Sequence, residues 1–164
     1  MTGLEDILKE GACLVGVGNP WRRDDGVGPW IVEAVRGASA GTGLDIVDAE
    51  DVPENFVHDI ARTARPNVIF IDAAAAGAAP GMVLFAPLAG LDEAEGFSTH
   101  KLALSLCGKV LEAAGKRVFL LGIVPADLEF GAGLTPEVER AASSVCGAIL
   151  RACARPRLEN RHEC

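Results

Sequence analysis

The sequence predicts an α/β fold: a three-layer sandwich in which a twisted, mostly parallel five-stranded sheet is flanked by helices. Two observations predict it. Short runs rich in β-branched residues alternate along the chain with longer segments of helical periodicity, as in a doubly wound sheet. Several of those short runs are apolar almost throughout, as strands covered on both faces must be. At 164 residues the chain suits one domain over residues 1–154, and the polar composition of residues 155–164 predicts a frayed tail.

The predicted strands are Cys13 to Val17, Leu44 to Val47, Asn67 to Asp72, Met82 to Ala86 and Arg117 to Gly122. Between the first two, Val27, Ile31 and Val35 recur every four residues, with Trp30 and Ala34 on the same stripe, and predict a helix that begins beside Asp24 and Asp25. A shorter helix is expected from Glu54 to Thr63. Another is expected to start near Ser98 and run through Leu102, Leu106 and Val110. The final helix has the clearest start, because Thr135 can cap, Pro136 suits the first helical position, and Glu137 and Glu139 favour the positive end of the helix dipole. Val138, Ala142, Val145, Ile149 and Ala152 mark its inner face.

Composition excludes several classes. Although 49% of residues are hydrophobic, no apolar run reaches the roughly 18 residues of a membrane span. The first residues carry Glu5, Asp6, Lys9 and Glu10 where a secretory signal would be basic and then apolar, so a cytoplasmic protein without a membrane partner is expected. A net charge of −8 argues against nucleic acid, whose phosphates a binding protein must neutralise. The five cysteines, Cys13, Cys107, Cys146, Cys153 and Cys164, form an odd set without a CxxC pair. They suggest neither a disulfide framework nor a zinc ribbon, and four of them sit in apolar patterns as reduced, packed thiols.

A doubly wound sheet binds ligands at the carboxyl ends of its strands, near the point where strand order reverses. Asp24 and Asp25 follow the first strand, Asp72 ends the third, His100 follows the fourth, and Pro125 and Asp127 follow the fifth. Two carboxylates and one imidazole from separate loops form an oxygen and nitrogen set for a first-row divalent metal. His100 is the best histidine for it, since His162 lies in the tail and His58 in the short helix. Each residue also fits a plainer role: the paired aspartates as caps, Asp72 as a turn residue, His100 as a surface group.

The glycine-rich stretch from Gly16 to Gly28 follows a strand and opens a helix, as a dinucleotide site would. Trp21 replaces the third glycine of that fingerprint, and the loop places two acids where a pyrophosphate would lie. The P-loop, the GxSxG elbow and HExxH are absent.

Four segments in order, GVGNPWRRDDGVGPWIVEAV, IDAAAAGAAPG, STHKLAL and LLGIVPADLEFGAGLTPEVERA, resemble the signatures of the hydrogenase maturation endopeptidases. They span residues 13 to about 150, and DAEDVPENF resembles the branch acting on hydrogenases of the formate-hydrogenlyase type. The resemblance implies an α/β sandwich and a monomer that removes the C-terminal extension of a [NiFe]-hydrogenase large-subunit precursor. It implies that Asp25, Asp72 and His100 are the metal-contacting and catalytic positions, with nickel supplied by the precursor and no organic cofactor. The chain departs from the family where Asp48-Ala49-Glu50-Asp51 replaces a glycine-glycine-threonine or glycine-glycine-serine turn, making that loop stiffer and more acidic. Three other readings fit the same residues: a flavodoxin-like nucleotide module, a maturation factor that checks nickel without cutting, and a related metal-dependent peptidase acting on another precursor.

Overall fold

The computed structural model describes residues 3–74, 77–91 and 100–154. Its elements are helix α1 (Leu4–Glu10), strand β1 (Ala12–Gly16), helix α2 (Val27–Arg36), β2 (Leu44–Asp48), α3 (Val57–Ala61), β3 (Asn67–Ala73), β4 (Val83–Pro87), α4 (Lys101–Ala113), β5 (Arg117–Ile123) and α5 (Pro136–Ala154). The five strands form one sheet in the order β2-β1-β3-β5-β4, parallel except that β4 runs antiparallel to β5. The predicted sandwich and all five predicted strands are present, each boundary within a residue or so.

Side-chain alternation along the strands builds a core on each face. Leu14, Ile69, Ile71, Leu121 and Ile123 point to one face, where α1, α2 and α5 cover them. Cys13, Val15, Val68, Phe70 and Leu120 point to the other, beneath α3 and α4. The chain leaves β1 for β2 on one side and reaches β3 on its other side, so strand order reverses at β1 and opens a crevice beyond the carboxyl ends of β1 and β3. Among the described residues no helix is long and apolar enough to cross a membrane.

Several local expectations change. The stretch from Leu4 to Glu10, expected only to be a charged start, is helical and buries Leu4, Ile7 and Leu8. The single helix expected from Glu54 to Thr63 is a 3-10 turn at Pro53–Asn55 followed by the shorter α3, with the break at Phe56. In α2 the stripe of Val27, Ile31 and Val35 is buried and Trp30 packs partly against it, but Ala34 faces solvent. The largest change is in α4. Leu102, Leu106 and Val110 lie outward, with Leu102 76% exposed, while Leu104, Cys107, Gly108 and Leu111 face the sheet. Gly108 lies on this inner face against the Leu88 side chain, where a Cβ would come 2.8 Å from its Cδ2 atom. Ser98 and the tail 155–164 lie outside the described residues. In α5 all five predicted inner positions are buried.

Candidate metal centre

The first loop reaches the crevice because two glycines allow backbone to pack on backbone. Gly18 has φ +140°, and a Cβ there would come 1.7 Å from the Asp25 carbonyl oxygen. A Cβ at Gly28 would lie 2.2 Å from the Ile71 carbonyl, so the first turn of α2 sits directly on the ends of β1 and β3. Neither aspartate caps a helix: the N-cap of α2 is Gly26, without a side-chain cap bond.

Asp25 is 2% exposed, and its Oδ2 accepts a hydrogen bond from Asn19 N at 2.9 Å. Asp72 is fully buried near the end of β3, on the same face as Phe70, so its side chain turns toward α4. Its Oδ1 accepts from Ala73 N at 2.8 Å, leaving Oδ2 to face His100 Nδ1 at 3.2 Å. His100 is the N-cap residue of α4, and its side chain is only 13% exposed. One ligand atom from each of Asp25, Asp72 and His100 lies within 4.8 Å of the other two. The spacing and the hard-oxygen and imidazole chemistry of this buried set fit one first-row divalent ion.

The electrostatics agree with that use. The hydrogen bond to Asp72 raises the His100 pKa above its ordinary 6.5, and the negative charges of Asp72, Asp25 and Asp51 push the same way against burial. With Asp72 ionised, the proton between them sits on Nδ1. Asp51, whose charge contributes to this shift, belongs to the acidic loop noted in the sequence.

Other candidates at this edge do different work. Asp24 is fully buried, and both its oxygens are taken by the loop between β5 and α5. Asp127 pairs with Arg23 at 3.3 Å and accepts from Glu129 N. His58 is exposed on α3, and His162 lies outside the described residues. The described cysteines are reduced, three of them buried and Cys153 half-buried. Burial pushes the Cys13 thiol up to about 12 and that of Cys107 up to about 11, which suppresses the thiolate either would need as a nucleophile. The role of Asp24 had no signal in the sequence beyond its adjacency to Asp25, because its partners lie about a hundred residues away.

Residues 30–152, three quarters of the chain, match the HycI family of hydrogenase maturation proteases. The chain belongs to this family. A hydrogenase 3 maturation protease of Escherichia coli K12 is 29% identical over 133 residues, 80% of this chain and 84% of that protein. The solution structure of the endopeptidase HycI from Escherichia coli superposes with a TM-score of 0.73 at 27% identity, over 84% of this chain and 87% of the other. The fold is shared more widely, with a TM-score of 0.77 against the HycI maturation protease of Thermococcus kodakarensis KOD1 at 24% identity, over 93% of this chain and 99% of that one. As a hydrogenase maturation protease, the chain is a hydrolase, which removes the nucleotide-module reading.

Proposed function

We propose that this hydrogenase maturation protease removes the C-terminal extension of a [NiFe]-hydrogenase large-subunit precursor after nickel insertion, and that Asp25, Asp72 and His100 read the precursor's nickel. One observation carries the reading: donors from the first loop, the end of β3 and the start of α4, two of them buried and the third mostly so, meet within 4.8 Å at the crevice where a ligand of this fold belongs. A trimming protease has to distinguish finished from unfinished substrate. A donor set that engages only when the substrate presents a metal makes cleavage conditional on loading.

The protein's own groups have limited tasks. Asp72 holds the His100 ring through Nδ1 and so fixes the direction of the imidazole. Asn19 does the same for one oxygen of Asp25 through its backbone N–H. Nickel brought by the substrate would be held by Asp25, Asp72 and His100 and would supply Lewis acidity when bound. The buried thiols lack the setting of a covalent nucleophile, which favours direct attack by water. The protease is expected to act as a cytoplasmic monomer whose nickel is supplied by its substrate.

The test is to mix the purified protease with the precursor, nickel-loaded or nickel-free, and follow the precursor's mass. Loss of a C-terminal peptide from the loaded form alone is the expected result. Cleavage of both forms equally would sink the metal check, and tight binding without any cleavage would identify a docking factor instead.

A further inference from the structure

We propose, on the basis of that metal-reading role, that Asp24 is a positioning residue: it ties the first loop to the loop between β5 and α5 and thereby sets where the Asp25 carboxylate points. Asp24 is fully buried, and a carboxylate removed from water persists only if its oxygens are matched by donors. Four donors match it. Oδ2 accepts from Ala126 N at 2.9 Å, Asp127 N at 3.0 Å and the Thr135 hydroxyl at 2.8 Å, while Oδ1 accepts from Thr135 N at 2.8 Å. All of them come from the segment that leaves β5 and enters α5.

The backbones of the two loops are joined at the same place. Asp24 N donates to the Asp127 carbonyl at 3.1 Å, Arg23 N to that of Gly131 at 3.0 Å, and Gly131 N to that of Trp21 at 2.9 Å. Arg23 takes the left-handed conformation, φ 46°, which a side chain adopts only when its surroundings impose it. One residue further on, Asp25 N donates to the Arg22 carbonyl at 3.1 Å, and its side chain reaches back to Asn19. Asp25 therefore leaves the backbone from a point anchored on both sides, and the anchor is the carboxylate of its neighbour.

The geometry also requires the acid itself. An asparagine at position 24 carries one acceptor and one donor, so in either orientation its NH2 group faces an N–H that now donates to Asp24. Its substitution perturbs the loop while leaving Asp25, Asp72 and His100 chemically intact.

The experiment titrates nickel(II) alone into the wild-type protease, Asp24→Asn and Thr135→Val by calorimetry, with thermal unfolding followed in parallel and kcat and KM measured on the loaded precursor. For Asp24→Asn we expect a folded protein whose nickel affinity drops about 10- to 100-fold. Its kcat should fall with little change in KM. Thr135→Val, which removes one of the four bonds from the far side, should shift both in the same direction by less. Wild-type nickel affinity in folded Asp24→Asn overturns the proposal. If that variant does not fold, Thr135→Val decides by itself, weakened nickel binding supporting the positioning role and unchanged binding overturning it. A wild-type protease that takes up no free nickel still fits a site that meets nickel only on its substrate, and kcat on the loaded precursor then decides: a lower kcat in folded Asp24→Asn supports the positioning role, and a wild-type kcat overturns it.

Discussion

The two edges of the sheet use buried polarity in opposite ways. At the amino edge, the fully buried Asn67 donates from Nδ2 to the carbonyls of Ile7 and Gly11 at 3.3 and 3.1 Å, and its Oδ1 accepts from Arg117 Nε at 3.0 Å. Beside it, Lys116 Nζ donates to the carbonyls of Thr63 and Arg65, and Arg117 pairs with Glu10. These bonds join α1, β3, β5 and the α3–β3 connection, so this edge locks elements together. At the carboxyl edge, Asp24, Asp25 and Asp72 are all buried, and the donors of Asp25, Asp72 and His100 crowd together. Like charges brought together in a dry site weaken a fold, so the arrangement makes sense for what it can hold. Asp24 lies on the carboxyl edge but behaves like Asn67: its bonds run to distant chain and fasten it.

Substitutions should separate the two edges. The largest effect is expected from Asp72→Ala, which removes a donor and the partner of His100; processing of the nickel-loaded precursor, read by mass, should vanish. Retained processing would place the chemistry elsewhere. Asn67→Ala should instead lower the unfolding free energy by about 1–3 kcal/mol, because it leaves the carbonyls of Ile7 and Gly11 without this buried donor. Urea denaturation measures that loss, and the activity per folded molecule should stay at the wild-type level. A fall in activity with unchanged stability would erase the contrast between the edges.

The smallest effect concerns pH. The His100 pKa is raised in the folded state, so the stability its pairing with Asp72 contributes is fully present below the unfolded value near 6.5 and is lost as pH rises through the raised value. Denaturation midpoints of the metal-free wild type and of His100→Gln should therefore differ most at acid pH and converge at alkaline pH. Nickel affinity should run the other way, falling as acid protonates the imidazole that the metal needs. A stability gap that widens with rising pH would contradict the pairing seen here.

Legibility followed the range of the interactions. The strands, the start of α5 and its inner face were readable, since Thr135-Pro136, the two glutamates and the apolar spacing are local signals. The facing of α4 was not. Leu102, Leu106 and Val110 make a helical stripe as regular as the buried one, and packing of Leu104, Cys107 and Leu111 on the distant strands decides between them. The short helix was overestimated because no glycine or proline marks the turn at Phe56 where 3-10 geometry gives way to α3. At the centre, Asp25, Asp72 and His100 could be chosen from their place after strands and from the family resemblance.

By itself the sequence determined the class of fold, the order of its strands along the chain and the edge at which polar residues gather, because periodicity and turn residues act over a few positions. Tertiary structure decided what Asp24 fastens, and how near Asp72 stands to His100. Those outcomes depend on contacts between residues 28 to 111 positions apart, and the angle at which one loop meets another is written in no single segment.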